Sequence, residues 1–134
     1  MKRAILGLAA ALLVSCAAVG AVQAAEPAMK ADSSLGKILV DAKGMTLYTF
    51  DNDQKGMASS CSGKCIAAWP PLVAPADAKA SGEWTTVDVT DKDGKMEKMW
   101  AYNGSPLYTF VKDTKPGDVT GDGVGGVWHV VKEK

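Results

Sequence analysis

Cys61, Cys65 and His129 are the side chains whose chemistry could most readily hold a soft ion. Two thiolates four residues apart, joined by one imidazole, suit a thiophilic ion such as Cu(I). The same spacing on a helical turn puts the two Cα atoms about 6 Å apart, within disulfide reach. In an oxidising compartment a pair of cysteines normally ends as a disulfide, so a Cys61–Cys65 staple is the expected state. A thiol–disulfide redox motif would have two intervening residues in a βαβ setting, whereas here there are three, Ser62-Gly63-Lys64. His129 is the only histidine and stands far along the chain, so copper ligation by Cys61, Cys65 and His129 is the alternative rather than the expectation. No Cys-x-x-Cys-His segment occurs, which excludes covalent c-type haem.

A second constellation is duplicated. Leu-Tyr-Thr-Phe occurs at 47–50 and again at 107–110, with Asp53 and Asp113 each following at the same distance. Tyr48, Phe50 and Asp53 therefore recur as Tyr108, Phe110 and Asp113, 60 residues on. A tryptophan trails each copy, Trp69 after the first and Trp128 after the second. Self-similarity on this scale implies that each half builds the same unit. Within a strand, Tyr48 and Phe50 share one face, as do Tyr108 and Phe110. Such a stripe reads either as core, with each aspartate capping the following turn, or as an aromatic binding surface.

These features, with the segment from Ser60 to Cys65 running into Trp69-Pro70-Pro71-Leu72, Pro106-Leu107-Tyr108, Pro116-Gly117-Asp118 and Trp128-His129, resemble a bacterial secreted-repeat family of predicted lipoproteins with a Yx(F/W/Y)xxD motif. The resemblance spans about residues 36–131 and brings no settled activity. Its implication of envelope redox or haem-associated roles makes a copper- or haem-interacting accessory of electron transfer the alternative function.

The N-terminus sets the compartment. Lys2-Arg3, an apolar stretch from Ala4 and the small residues Val22 and Ala24 around a cleavage point define a signal peptide over residues 1–24. Leu13-Val14-Ser15-Cys16 also fits a lipobox, so a lipid anchor on Cys16 is the alternative. Soluble export, periplasmic or secreted, is favoured because Ala17 to Val22 stays apolar where a tether would turn polar. Loss of the signal leaves 13 lysines against 15 acidic residues, and no arginine. Without arginine forks a nucleic-acid surface is not expected. No later apolar run is long enough to span a membrane.

Residues 25–35 are small, polar and low in complexity, and read as a disordered lead-in. Residues 36–132 read as one domain of two repeats, about 36–75 and 84–132. Alternation at Thr46–Phe50 and Trp84–Thr90, the turn at Asp91–Gly94 and the hairpin signal Asn103-Gly104 predict short antiparallel strands. Ser60 is a candidate cap for one short helix ending before Pro70-Pro71. The expected fold is mainly β: a small antiparallel sheet or barrel-like domain of about six strands with one helix. Asp118–Gly126 fails the calcium-loop pattern, with Thr120 and His129 where ligands belong. One histidine and no arginine leave few parts for catalysis. The expectation is an exported, non-enzymatic module without a cofactor, binding an unknown envelope protein or small ligand near Tyr48, Phe50, Asp53, Trp69, Tyr108, Phe110, Asp113 and Trp128.

Overall fold

In the computed structural model the structure describes residues 27–132. The expected signal peptide and Cys16 lie outside the described residues.

The architecture is mainly β and antiparallel. β1 (Met29–Ser33) pairs with β2 (Gly36–Val40). β3 (Tyr48–Phe50) pairs with the distant β8 (Trp128–Val130). β4 (Val73–Ala74), β6 (Met96–Tyr102) and β5 (Trp84–Thr90) form a third ladder in that order, and β7 (Ser105–Pro106) adds to β6. A five-residue helix, α1 (Lys64–Ala68), and a 3-10 turn at Val124–Gly126 complete the described chain. Isolated bridges, among them Tyr48 to Tyr108 and Pro71 to Tyr108, join the ladders. Among the described residues there are eight short strands rather than about six, and the ladders do not close into a barrel.

Two local expectations are corrected. Residues 29–33, expected within a disordered lead-in, form β1. Their composition is polar, but all five pair in register with β2, whose own sequence is strongly strand-forming. Ser33 closes the hairpin, its Oγ donating to the Gly36 carbonyl and accepting from the Leu35 N–H. Ser60 does not cap α1. Gly63 stands at the N-cap without a side-chain bond, and the Ser60 hydroxyl donates to Asp53 instead.

The alternation along the strands sorts apolar residues onto two faces. One face carries Val87, Val89, Met99, Tyr48, Tyr108 and the aromatic residues around them, the larger core. The other carries Leu39, Leu47, Leu107 and Trp84, a smaller core over which Trp100 and Tyr102 pack.

The halves are interleaved. The first repeat's Tyr48 strand is flanked by β8 of the second. The second repeat's Thr109 and Val111 N–H groups donate to the carbonyls of Pro70 and Ala68 in the first. The hairpin tips obey the same rule. A Cβ at Gly104 would lie 3.1 Å from Lys55 Cβ and 3.3 Å from the Gly56 nitrogen, and one at Gly44 would lie 3.2 Å from Pro116 Cβ. Each tip thus needs a glycine for close approach as well as for its positive φ.

Gly104→Ala should therefore cost more than a substitution that meets strain alone. Gly36 also has a positive φ, but a Cβ there meets nothing within 4 Å. Gly36→Ala should cost about 1 kcal/mol and Gly104→Ala about 2–3 kcal/mol in urea unfolding. Equal costs would show that the tip-to-loop approach contributes nothing.

Candidate functional site

The motif residues converge, but across the repeats. The Tyr48 hydroxyl donates to Asp113 Oδ2 at 2.6 Å, and the Tyr108 hydroxyl donates to Asp53 Oδ2 at 2.6 Å. Each repeat's tyrosine is satisfied by the other repeat's aspartate. The two tyrosines also exchange backbone bonds, N to O, at 2.7 and 2.9 Å. Each carboxylate is then oriented within its own half: Asp53 accepts from the Ser60 N–H and hydroxyl, and Asp113 from the Thr120 N–H and hydroxyl. Ser60 and Thr120 stand seven residues after their aspartates, so the supporting bonds are duplicated along with the motif.

The rings stack just as reciprocally. Phe50 stacks on Trp128 with centroids 4.3 Å apart, Trp128 on Trp69 at 3.8 Å, and Trp69 on Phe110 at 3.9 Å. Tyr48 meets Trp69 edge-on and Tyr108 meets Trp128 edge-on, at 5.4 and 5.2 Å. A Cβ at Gly121 would fall 2.8 Å from the Trp69 ring and 2.9 Å from Tyr48, so only glycine fits beside this stack.

Tyr48 and Tyr108 are 0% exposed, and Trp69, Trp128, Phe110 and Asp113 are buried with them. Most of the motif rings are thus packed in the core, Phe50 being half-buried at its edge. Burial, followed by the hydrogen bond to Asp113, holds the Tyr48 hydroxyl well above the ordinary tyrosine pKa. Burial and the bond to Asp53 do the same for Tyr108. Groups held neutral in this way donate hydrogen bonds and have no reason to ionise at neutral pH.

Cys61 and Cys65 form a disulfide, with Cα atoms 5.2 Å apart, that spans the start of α1. His129 lies on the exposed side of β8, its Nε2 2.8 Å from Asp51 Oδ2. The structure does not bring these three into one ligand set, and the described residues contain no group of three or more His, Cys, Asp or Glu side chains that could hold a metal.

The feature that sequence reasoning missed lies over the smaller core. Trp84, Trp100 and Tyr102 line a cleft of about 450 Å³ floored by Leu39. The β5–β6 register sets Trp84 opposite Tyr102 and Thr86 opposite Trp100. Trp84 lies 4.9 Å from Tyr102 at 47° and 6.2 Å from Trp100 at 84°. The signal lies in the alternation of Trp100 and Tyr102 along one strand, which puts both rings on the same face. By its backbone bonds Trp100 corresponds to Leu39. Trp100 donates to the Leu72 carbonyl and accepts from the Leu107 N–H, as Leu39 donates to Val131 and accepts from Leu47. Trp100 and Leu39, unlike residues at corresponding positions, both line the cleft.

The class of protein is an exported two-repeat β domain with interleaved halves. A family model described as a secreted repeat of unknown function matches residues 29–73 and 87–132, and the chain belongs to that family. No curated protein and no solved structure matches it at a significant level. No helix among the described residues is long and apolar enough to cross a membrane.

Tyr48→Phe should destabilise by about 1–3 kcal/mol, because the buried Asp113 loses a donor. In a double-mutant cycle Tyr48→Phe should couple to Asp113→Asn by about 1 kcal/mol or more. It should be close to additive with Asp53→Asn in its own repeat. The reverse pattern would refute the exchange.

Alkaline stability provides a separate check. A tyrosine whose pKa is raised by folding stabilises fully below its unfolded value of about 10, and that stability falls as pH rises beyond it. Two such groups should give a slope approaching about 2.7 kcal/mol per pH unit above pH 10. Tyr48→Phe should halve it, and an unchanged slope would count against the buried donors.

Proposed function

We propose that the protein is a non-enzymatic ligand-binding module of the cell envelope, released into the periplasm by signal cleavage and using the cleft of Trp84, Trp100 and Tyr102. The cleft carries this reading. Its volume falls within the usual range for small-molecule sites, and three aromatic side chains supply its walls. Trp100 and Tyr102 are each only half-buried, so they keep surface for a ligand to cover. The duplicated centre is a poor competitor, since its rings already cover one another.

The absence of a catalytic reading follows from the donor set. Lining groups that titrate are Lys30, Lys79, Glu83 and Tyr102, with no nucleophile paired to a base. A copper role would have to begin by reducing the Cys61–Cys65 bond and bringing His129 to it, and no observation favours that path.

A two-dimensional NMR screen of the ¹⁵N-labelled protein tests the proposal. Small aromatic acids, aromatic amines, sugars and amino acids should be added in turn. Members of at least one class should shift the indole N–H signals of Trp84 and Trp100 while leaving those of Trp69 and Trp128 in place. Shifts confined to other parts of the molecule, or none from any class, would overturn the assignment of the cleft.

A further inference from the structure

We propose that the cleft takes an anionic planar aromatic molecule of one or two rings. This rests on the cleft being the binding site, and it names the ligand class.

The shape argument comes first. Trp84 and Trp100 stand nearly perpendicular, and Tyr102 is tilted toward Trp84, so the walls form a corner rather than an open platform. A flat ring entering that corner stacks on the half-buried Trp100 and turns its edge toward the buried Trp84, the arrangement that aromatic pairs prefer. Leu39 beneath it is buried and apolar. About 450 Å³ accommodates one or two rings with a substituent, near the small end of ligand sites.

Charge decides among planar or ring-shaped candidates. Lys30, Lys79 and Glu83 line the cleft, an excess of one positive charge in a chain that after export has two more acidic than basic residues. Lys30 already has a partner. Lys79 is exposed beside the cleft and forms none of the salt bridges among the described residues, so its ammonium can turn to an acid group on a bound ring. An aromatic corner would by itself favour a cation, but the lysines oppose one. A sugar would need several side-chain hydrogen-bonding groups around its hydroxyls. The lining supplies one carboxylate, Glu83, and the hydroxyls of Ser81 and Tyr102, with no amide side chain.

The test uses the exported full chain and four compounds: 2-naphthoate, the neutral 2-naphthol, the cationic 2-naphthylmethylammonium and chitotriose. Dissociation constants are read from the Trp84 and Trp100 indole signals, with the Trp69 and Trp128 signals reporting that the core is intact. The expected result is 2-naphthoate binding at least tenfold tighter than 2-naphthol. Lys79→Glu should weaken 2-naphthoate about tenfold and leave 2-naphthol unchanged. Trp100→Ala should abolish both. Equal or tighter binding of 2-naphthol, the ammonium compound or chitotriose at these indoles would overturn the anionic class while keeping the cleft as the site. No shift of these indoles by any of the four would overturn the proposed class as well. Only the wider screen could then rescue the cleft.

Discussion

Two hydrogen bonds set the terms for the rest of the molecule: Tyr48 to Asp113 and Tyr108 to Asp53. Either half alone would retain a tyrosine and an aspartate whose partners lie in the other half. A buried hydroxyl left without an acceptor costs on the order of 1–3 kcal/mol, and an unpaired buried carboxylate costs more. The exchange therefore makes the halves obligate to each other. This differs from a solenoid, where each repeat folds against a neighbour that could be any other copy. The crossed pairing of β3 with β8, and of the Tyr108 segment with Pro70 and Pro71, enforces the same dependence through the backbone. With the four-ring stack running Phe50, Trp128, Trp69, Phe110, the two chain segments alternate along the core and neither can be withdrawn without unstacking the other.

Against that duplicated centre, the differences between the halves become informative. Cys61 and Gly121 stand 60 residues apart, and both are buried beside a motif tyrosine. In the second half the lack of a side chain admits the rings of Trp69 and Tyr48. In the first half the position is a cysteine tied to Cys65, and the following segment turns into α1 instead of the glycine-rich loop around Val124–Gly126. One loop is held by a covalent bond and the other by a close fit against aromatic rings. These are two solutions to the same demand, that the aspartate's hydrogen-bond donors at Ser60 and Thr120 stay in place.

Local features were readable in the sequence, whereas partners were not. β5, β6 and the turn between them follow the alternation and the Asp91–Gly94 signal, and Asn103-Gly104 forms its tight hairpin with both φ values positive. The spacing of Tyr48, Phe50 and Asp53 suggests an aspartate serving its own turn, because a single copy offers only local partners to reason with. The exchange between copies depends on how the halves dock, a tertiary fact that two identical motifs leave undecided. β1 failed for a related reason. Met29–Ser33 has little strand character of its own and becomes a strand by adding to β2, with Ala31 and Leu35 packing against the core. Composition reports what a segment prefers alone, and an edge strand takes its conformation from its neighbour.

The same reasoning bears on where function can reside. A duplicated core whose rings cover one another and whose hydroxyls are committed to carboxylates has no spare valence for a ligand. Change there breaks a reciprocal pair, so it is confined. The opposite face of the sheet carries no such obligation. There Leu39 and Trp100 occupy corresponding backbone positions, yet one is a small aliphatic floor and the other a large half-buried indole. Leu39, Trp84, Trp100 and Tyr102 line one cleft on this face. The interleaved core supplies rigidity to both faces, and the face released from reciprocity is the one on which a binding site could be built without dismantling the fold.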